Sequence, residues 1–346
     1  MAIPCRSETT QSARISICLP TCNRPDLIVA CLDSCLAQTY DNIEILIGDD
    51  SKDARTQHLI ATRYADEPRI HYTLNQPSLG QARNVASLFE RASGERIVLI
   101  HDDDLLATDG IEKLASLWTR HPHLDVAFAD QYEADHTGAI DVEASARLNA
   151  DFRRTKDVEG LQPLPGRTGL IQMFPNNGWM ASADLVKRIG YPEQHGMCCD
   201  YVFGTLLCLA AREVFYLHEY VSVYRKTQTS VSHSTRGTTG AAPMSAYAFV
   251  HALTLPPALE ASRKLALRRL APIVVSVYAN NRQPLAGLKI ALTHLFAYRY
   301  GFSTRLYYHL LMLARAAIAL QRQAVVEAAP AVTVDAAVVT DRSELV

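Results

Sequence analysis

Arg96-Ile97-Val98-Leu99-Ile100-His101-Asp102-Asp103-Asp104 decides how this chain is read. Arg96–Ile100 has the length and apolar character of a buried strand, and it delivers the chain into three consecutive carboxylates. Three adjacent acids repel one another and add nothing to a fold unless a cation neutralises them. Hard cations such as Mg²⁺ and Mn²⁺ take oxygen ligands, commonly one or two carboxylates together with phosphate oxygens of a substrate. On local grounds alone, a solvated acidic turn capping the helix that starts near Asp109 is the competing explanation.

Upstream, the pattern repeats. Ile43–Ile47 reads as a strand and runs into Gly48-Asp49-Asp50-Ser51, a second acidic tip that is either a helix cap or a hydrogen-bond acceptor for a base or ribose. Arg14–Leu19 is another strand, ending at Pro20. Helical spacing follows it, with Leu27, Ile28, Cys31, Leu32, Cys35 and Leu36 on one stripe. Helices are expected at 54–64, 81–91 and 109–120, and strands at 69–74 and 126–129. Alternating strands and helices with short connections imply an α/β fold with a mainly parallel sheet flanked by helices. Ligands of such sheets bind outside the carboxyl ends of the strands, where both acidic clusters fall. Farther on, 135–165 reads as a polar loop, 166–173, 183–189 and 201–211 as helices, and 214–217 and 221–224 as short strands.

The 346 residues include 20% charged and 48% hydrophobic ones, enough for a sizeable core, with a net charge of −2. That small value hides an asymmetry: residues 261–323 hold ten Lys and Arg and no Asp or Glu, and with −3 on residues 324–346 this leaves −9 on residues 1–260. The expected organisation is an extension at 1–13, a catalytic domain at 14–235, a basic helical region at 236–323 and a loosely ordered tail at 324–346. The eight cysteines show no C-x-x-C pairing, which argues against a zinc site and for reduced core thiols in a cytoplasmic protein. No window is apolar enough to cross a membrane, and the start lacks a secretion signal's apolar stretch. Leu306–Arg315 mixes Leu, Tyr and Arg as a surface-lying helix would, so 261–323 is the candidate for contact with the cytoplasmic face of a membrane. A packed helical bundle is the alternative. Nucleic acid is not expected as a partner, since no binding module accompanies the basic residues.

Four segments in order carry a family pattern: Ile15 to Arg24, Ile45 to Asp53, Asn75 with Gly80 to Asn84, and Gly94 to Leu105. Together they resemble glycosyltransferase family 2, the inverting family with the GT-A fold, a Rossmann-like nucleotide-diphospho-sugar transferase fold, over roughly residues 14–235. The resemblance implies a nucleoside-diphosphate sugar, with a UDP-sugar expected, and Mn²⁺ or Mg²⁺ as cofactor. It puts Pro20, Thr21, Asn23, Arg24, Asp49, Asp50, Gly80, Arg83 and Asp102 around the nucleotide or donor, and Asp103 and Asp104 at the metal. His101 departs from the pattern, standing where many members have an Asp. Cys198-Cys199-Asp200-Tyr201 is similar to the segment that supplies the catalytic base, which makes Asp200 the base and Cys199 a replacement for the usual Glu. Tyr224-Arg225 resembles the segment that closes over the diphosphate, although the expected His is absent and His233 follows only later. Trp179 is a candidate for stacking on an acceptor sugar.

The implied function is inverting transfer to a hydroxyl of a saccharide or lipid-linked acceptor during polysaccharide or glycolipid assembly. A nucleotidyltransferase also uses acidic clusters on a parallel sheet, but it would carry a Gly-rich, Lys-containing phosphate loop that is missing at 15–30. An inactive nucleotide-sugar-binding scaffold is the non-enzymatic alternative, disfavoured by the presence of both Asp103 and Asp200.

Overall fold

The computed structural model describes residues 12–135, 137–227, 241–296 and 303–328. Its chain divides into two compact units, Met1–Leu270 and Ala271–Val346. The first unit thus runs past the expected boundary at 235, because the helix Ala241–Ala252 packs on the segment before Asp200: Phe249 meets His195 and Tyr201 edge-on.

The first half of the sheet follows the sequence pattern. Strand β1 (Ile15–Thr21) leads to α1 (Pro25–Leu36), β2 (Ile43–Asp49) to α2 (Arg55–Arg63), β3 (Ile70–Leu74) to α3 (Gln81–Arg91), and β4 (Arg96–Leu99) to β5 (Leu105–Leu106) and α4 (Gly110–Arg120). Strands β3, β2, β1 and β4 are adjacent and parallel. Every residue of β1 and β2 is buried, as a strand covered by helices on both faces must be. Gly48 lets α3 approach β2: a β-carbon there would collide with the Asn84 side chain, whose Nδ2 donates to the Gly48 carbonyl at 2.8 Å.

Beyond β6 (Val126–Ala134) the structure departs from expectation. The stretch expected as a loop contains β7 (Ile140–Asp141), α5 (Val142–Asp151) and β8 (Gly160–Leu161), followed by α6 (Pro165–Leu170). Strand β9 (Trp179–Ser182) inserts antiparallel between β4 and β6. After α7 (Ala183–Ile189) and α8 (Cys199–Ala210), the two expected short strands form one, β10 (Val214–Arg225), parallel to β6 with register shifts around Tyr220. The sheet order is β3-β2-β1-β4-β9-β6-β10-β5. Two apolar clusters cover its faces, one around Ile17, Ile45 and Val98, the other around Phe89, Trp179 and Phe203.

The remaining helices are α9 (Ala241–Ala252), α10 (Glu260–Asn280), α11 (Pro284–Thr293) and α12 (Thr304–Ala328). Helix α12 extends through the first residues of the segment expected as a tail. In the second unit, Val275, Ala291, Leu306 and Leu313 form a small core, while Leu285 (81%), Phe296 (89%) and Tyr308 (59%) stand exposed. Among the described residues no helix is long and apolar enough to cross a membrane. Of the described cysteines, Cys18, Cys31, Cys35, Cys198, Cys199 and Cys208 are buried free thiols, and Cys22 is exposed.

Candidate active site

The parallel strands β1, β2 and β4 end at one edge of the sheet, and the residues just past those ends meet there. The Thr21 hydroxyl donates to Asp102 Oδ2 at 2.7 Å. Arg24 Nη1 lies 3.1 Å from Asp102 Oδ1 and 3.2 Å from Asp103 Oδ2. Asn23 takes a left-handed backbone, φ 56°, which Asn tolerates better than most residues. That turn lets its N–H donate to the Ser51 hydroxyl at 2.7 Å while its Oδ1 accepts from Lys52 N at 3.1 Å, tying the β1 tip to the β2 tip. Pro20, the next-to-last residue of β1, is buried beneath them.

At the β2 tip, both acids are engaged by the protein. Asp49 is fully buried; Oδ1 accepts from Ser51 N at 2.8 Å and Oδ2 from the Tyr72 hydroxyl at 2.7 Å. Asp50 gathers Asn75 Nδ2, Ser78 Oγ and Leu79 N, each at 2.9 Å, and Gly80 N at 2.5 Å. Burial alone would raise its carboxyl; these four donors outweigh it and hold the group below its ordinary range. Asp50 therefore shapes the 75–80 loop. Gly80, at φ 81°, leaves the loop exposed with open space where a side chain would be, so a ligand can reach the backbone.

The Asp triplet splits by environment. Asp102 is buried and its pKa is raised, chiefly by burial, with Arg24 and Thr21 opposing. Asp103 has the most exposed carboxylate of the two that share Arg24, with side-chain exposures of 15% and 6%. Asp104 faces inward: Oδ1 accepts from Arg225 N at 3.0 Å and Oδ2 from Asn177 Nδ2. Burial and then the neighbouring Asp103 push its pKa up to about 7. Arg225 holds the triplet's backbone, donating to the carbonyls of Asp103 and, at 3.3 Å, Asp102. Tyr224 precedes it at the end of β10, partly buried.

Asp200 lies in the first turn of α8, one residue beyond the start, where the helix dipole favours an anion. The helix N-cap is Cys198, so Asp200 is not there as the capping residue. Tyr191, buried against Phe89 and Phe203, donates its hydroxyl to Asp200 Oδ1. His101 connects this carboxylate to the triplet. Burial disfavours its cation, but Asp200 first, then Asp104, Asp103 and Asp102, outweigh burial and raise its pKa. Its Nδ1 is 4.0 Å from Asp104 Oδ2, and its buried Nε2 has no hydrogen-bond partner among the described residues.

Some expected site residues sit elsewhere. Trp179 is 1% exposed inside β9, packed among Phe89, Phe174 and Phe203, so it has no face to offer a sugar. Arg83 is exposed on α3 and paired with Glu193. His233 lies outside the described residues. Tyr191 and Asn177, by contrast, carry no signal of their own in sequence; only the fold sets them against Asp200 and Asp104.

Among the described residues no three His, Cys, Asp or Glu side chains converge as a metal cage. The donor set nevertheless suits a hard cation that brings further ligands with its substrate. Carboxylate oxygens of Asp102 and Asp103 already converge on one cationic nitrogen, that of Arg24. Asp104, expected at the metal, has both oxygens accepting hydrogen bonds within the protein.

This edge and sheet define a GT-A glycosyltransferase fold. The crystal structure of S. aureus TarS residues 1–349 with UDP-GlcNAc superposes with a TM-score of 0.58 at 16% identity, covering 83% of this chain and 89% of that one. Mannosyltransferase PcManGT from Pyrobaculum calidifontis, with GDP-Man and Mn²⁺, also gives 0.58 at 16% identity, over 92% and 89%. Residues 16–176 match the model of glycosyl transferase family 2. The Campylobacter jejuni GalNAc(5)-diNAcBac-PP-undecaprenol beta-1,3-glucosyltransferase is 30% identical over 102 residues, 29% of this chain and 33% of that protein. Escherichia coli chondroitin synthase is 30% identical over 127 residues, 36% of this chain and 18% of that one. The chain thus spans a third or less of the length of these two curated relatives.

Proposed function

We propose that the protein is an inverting glycosyltransferase that moves a sugar from a nucleoside diphosphate, with uridine as the expected base, to a hydroxyl acceptor in polysaccharide or glycolipid assembly. The observation that carries this reading is the convergence of Thr21, Arg24, Asp102 and Asp103 from separate strand tips at one edge.

Asp103, with Asp102 beside it, would hold Mn²⁺ or Mg²⁺ against the donor diphosphate. Such an ion neutralises charge on the leaving group as a Lewis acid. The open backbone at Gly80 and the turn at Asn23 border the nucleotide. Arg24 supplies a second positive charge at the same edge. Asp200 accepts the acceptor hydroxyl's proton as the sugar transfers, with Tyr191 fixing the orientation of its carboxylate. General-base assistance of this kind is worth about 10² to 10⁴ in rate.

The acceptor reading extends to the second unit. Exposed Tyr307, Tyr308, Leu311 and Ile318 on α12, together with its arginines and the acid-free composition of 261–323, support contact with an anionic membrane surface where lipid-linked acceptors reside.

A thermal-shift screen of nucleoside-diphosphate sugars, with Mn²⁺ and with a chelator, tests the donor and the ion together. The expected result is stabilisation by UDP-sugars that the chelator abolishes. Equal stabilisation by no nucleotide at all would remove the proposal.

A further inference from the structure

A cavity of about 250 Å³ opens where the C-terminal ends of α5 and α6 meet the first turns of α8 and the middle of α10. Its lining includes Arg153, Arg268 and Arg269, with Gln172 and Tyr201, and Asp151 as the single acid. None of these residues belongs to the donor edge described above, yet Tyr201 directly follows Asp200. The cavity therefore shares helix α8 with the proposed base.

Two features set this cavity apart from an ordinary basic surface. First, Arg153 and Gln172 both have left-handed backbones, φ 62° and φ 59°. Each stands just past a helix end, where Gly or Asn is usual, and a side chain costs about 1 kcal/mol. Two of the chain's positive-φ residues other than glycine thus present long polar side chains to the same space. Arg153 is held there by its N–H to the Ala150 carbonyl at 2.9 Å. The next residue, Arg154, is buried and bonded to Asn149 at 2.8 Å, which fixes the turn.

Second, like charges are gathered. Arg269 lies over the Phe152 ring at 4.6 Å, which fixes its plane. Burial, with repulsion from Arg153 added and Tyr201 and Asp151 opposing, holds its pKa below the usual guanidinium value. Charges arranged at that cost are relieved by an anion. Planar guanidinium groups recognise phosphate or carboxylate through paired hydrogen bonds. Pockets for whole drug-sized ligands run to about 300–1,000 Å³, so this smaller one suits a single charged group with its immediate attachment.

We propose that this cavity binds a phosphate or carboxylate group carried by the acceptor, anchoring the acceptor through the helix that also carries Asp200. The inference rests on the glycosyltransferase reading for the word acceptor; anion binding itself does not.

The test has two arms. In the first, inorganic phosphate is titrated calorimetrically into the full chain and into Arg153→Gln, Arg269→Gln, Arg269→Lys and Asp103→Asn variants at fixed ionic strength. Saturable binding should weaken at least tenfold in the two Gln variants, fall less in Arg269→Lys, and persist in Asp103→Asn. Melting temperatures identify any variant that fails to fold, and Arg269→Lys then carries the comparison. Binding that is absent, or equal in all folded variants, overturns the site and leaves its arginines as helix-end cations. In the second arm, transfer is measured to matched acceptors with and without a phosphate group. The Gln variants should raise KM for the phosphorylated acceptor about tenfold with kcat little changed, and inorganic phosphate should compete with it. Phosphate that binds without competing would make the cavity a site for free phosphate and overturn acceptor anchoring. No transfer to any acceptor, with the first arm positive, would count against the proposed reaction and not against the anion site.

Discussion

Asp130 and the Asp102–Asp103 pair are both buried or nearly so on neighbouring parts of one sheet, and the fold treats them differently. Asp130, 1% exposed within β6, accepts from the Tyr216 hydroxyl at 2.7 Å, pairs with His218 at 2.9 Å and has Arg154 at 3.9 Å. Asp102 and Asp103 share one guanidinium and, for Asp102, one hydroxyl. Burial raises the pKa of Asp130 as it does that of Asp102, so direction of shift does not separate them. Partners do. An acid that serves the fold is met by several groups within it, whereas adjacent acids left to share a single cation keep capacity for a ligand.

Four substitutions sharpen that contrast. The largest effect is expected at Asp200: Asp200→Asn should lower kcat by about 10² to 10⁴ while leaving donor binding intact. Steady-state kinetics beside donor titration measure this, and turnover within a fewfold of the unaltered chain would mean another group takes the proton. Next comes Asp130→Ala, which strands Arg154 in the interior; removing one partner of a buried pair costs about 3–5 kcal/mol. Urea unfolding should show that loss, against a change below about 1 kcal/mol for Asp103→Asn, an acid whose neighbour repels it. Similar losses in both would erase the distinction drawn here. The smallest effect concerns Asp50, whose folded pKa lies below its ordinary value of 3.8. Its stabilising contribution is present above the unfolded pKa and is lost as pH falls through the folded one. Asp50→Asn should therefore be less stable near neutrality and flatten the acid side of the stability profile below about pH 4. An unchanged profile would show that the 75–80 loop does not depend on that charge.

The same contrast explains what could be read from sequence. Strands β1, β2 and β4 are mostly apolar and β3 alternates, and each is followed by a helix or an acidic turn, so both the parallel half of the sheet and the tips bearing Thr21, Arg24, Asp102 and Asp103 are legible. Helix α5 was not, because its buried positions are Ala144, Ser145 and Asn149, not an apolar stripe. Ser145 and Asn149 face inward to serve the backbone of Gln131 and Glu133, a role that periodicity does not encode. Strand β9 is four residues long, and its antiparallel insertion depends on long-range pairing. The irregular register around Tyr220 made β10 look like two strands. Trp179 reads in sequence as a sugar-stacking candidate, but the Phe89, Phe174 and Phe203 rings that pack on it come from α3, the segment after α6 and α8. Tyr191 and Asn177 gained meaning only through their partners.

Calorimetric titration of UDP into the full chain with Mn²⁺, repeated with Asp103→Asn and with a chelator, tests most directly whether the shared carboxylates at the strand tips hold an ion against a diphosphate. The account predicts Mn²⁺-dependent binding that falls at least tenfold in the variant and to the same level when the metal is chelated. Metal-dependent binding of equal strength in Asp103→Asn would contradict it.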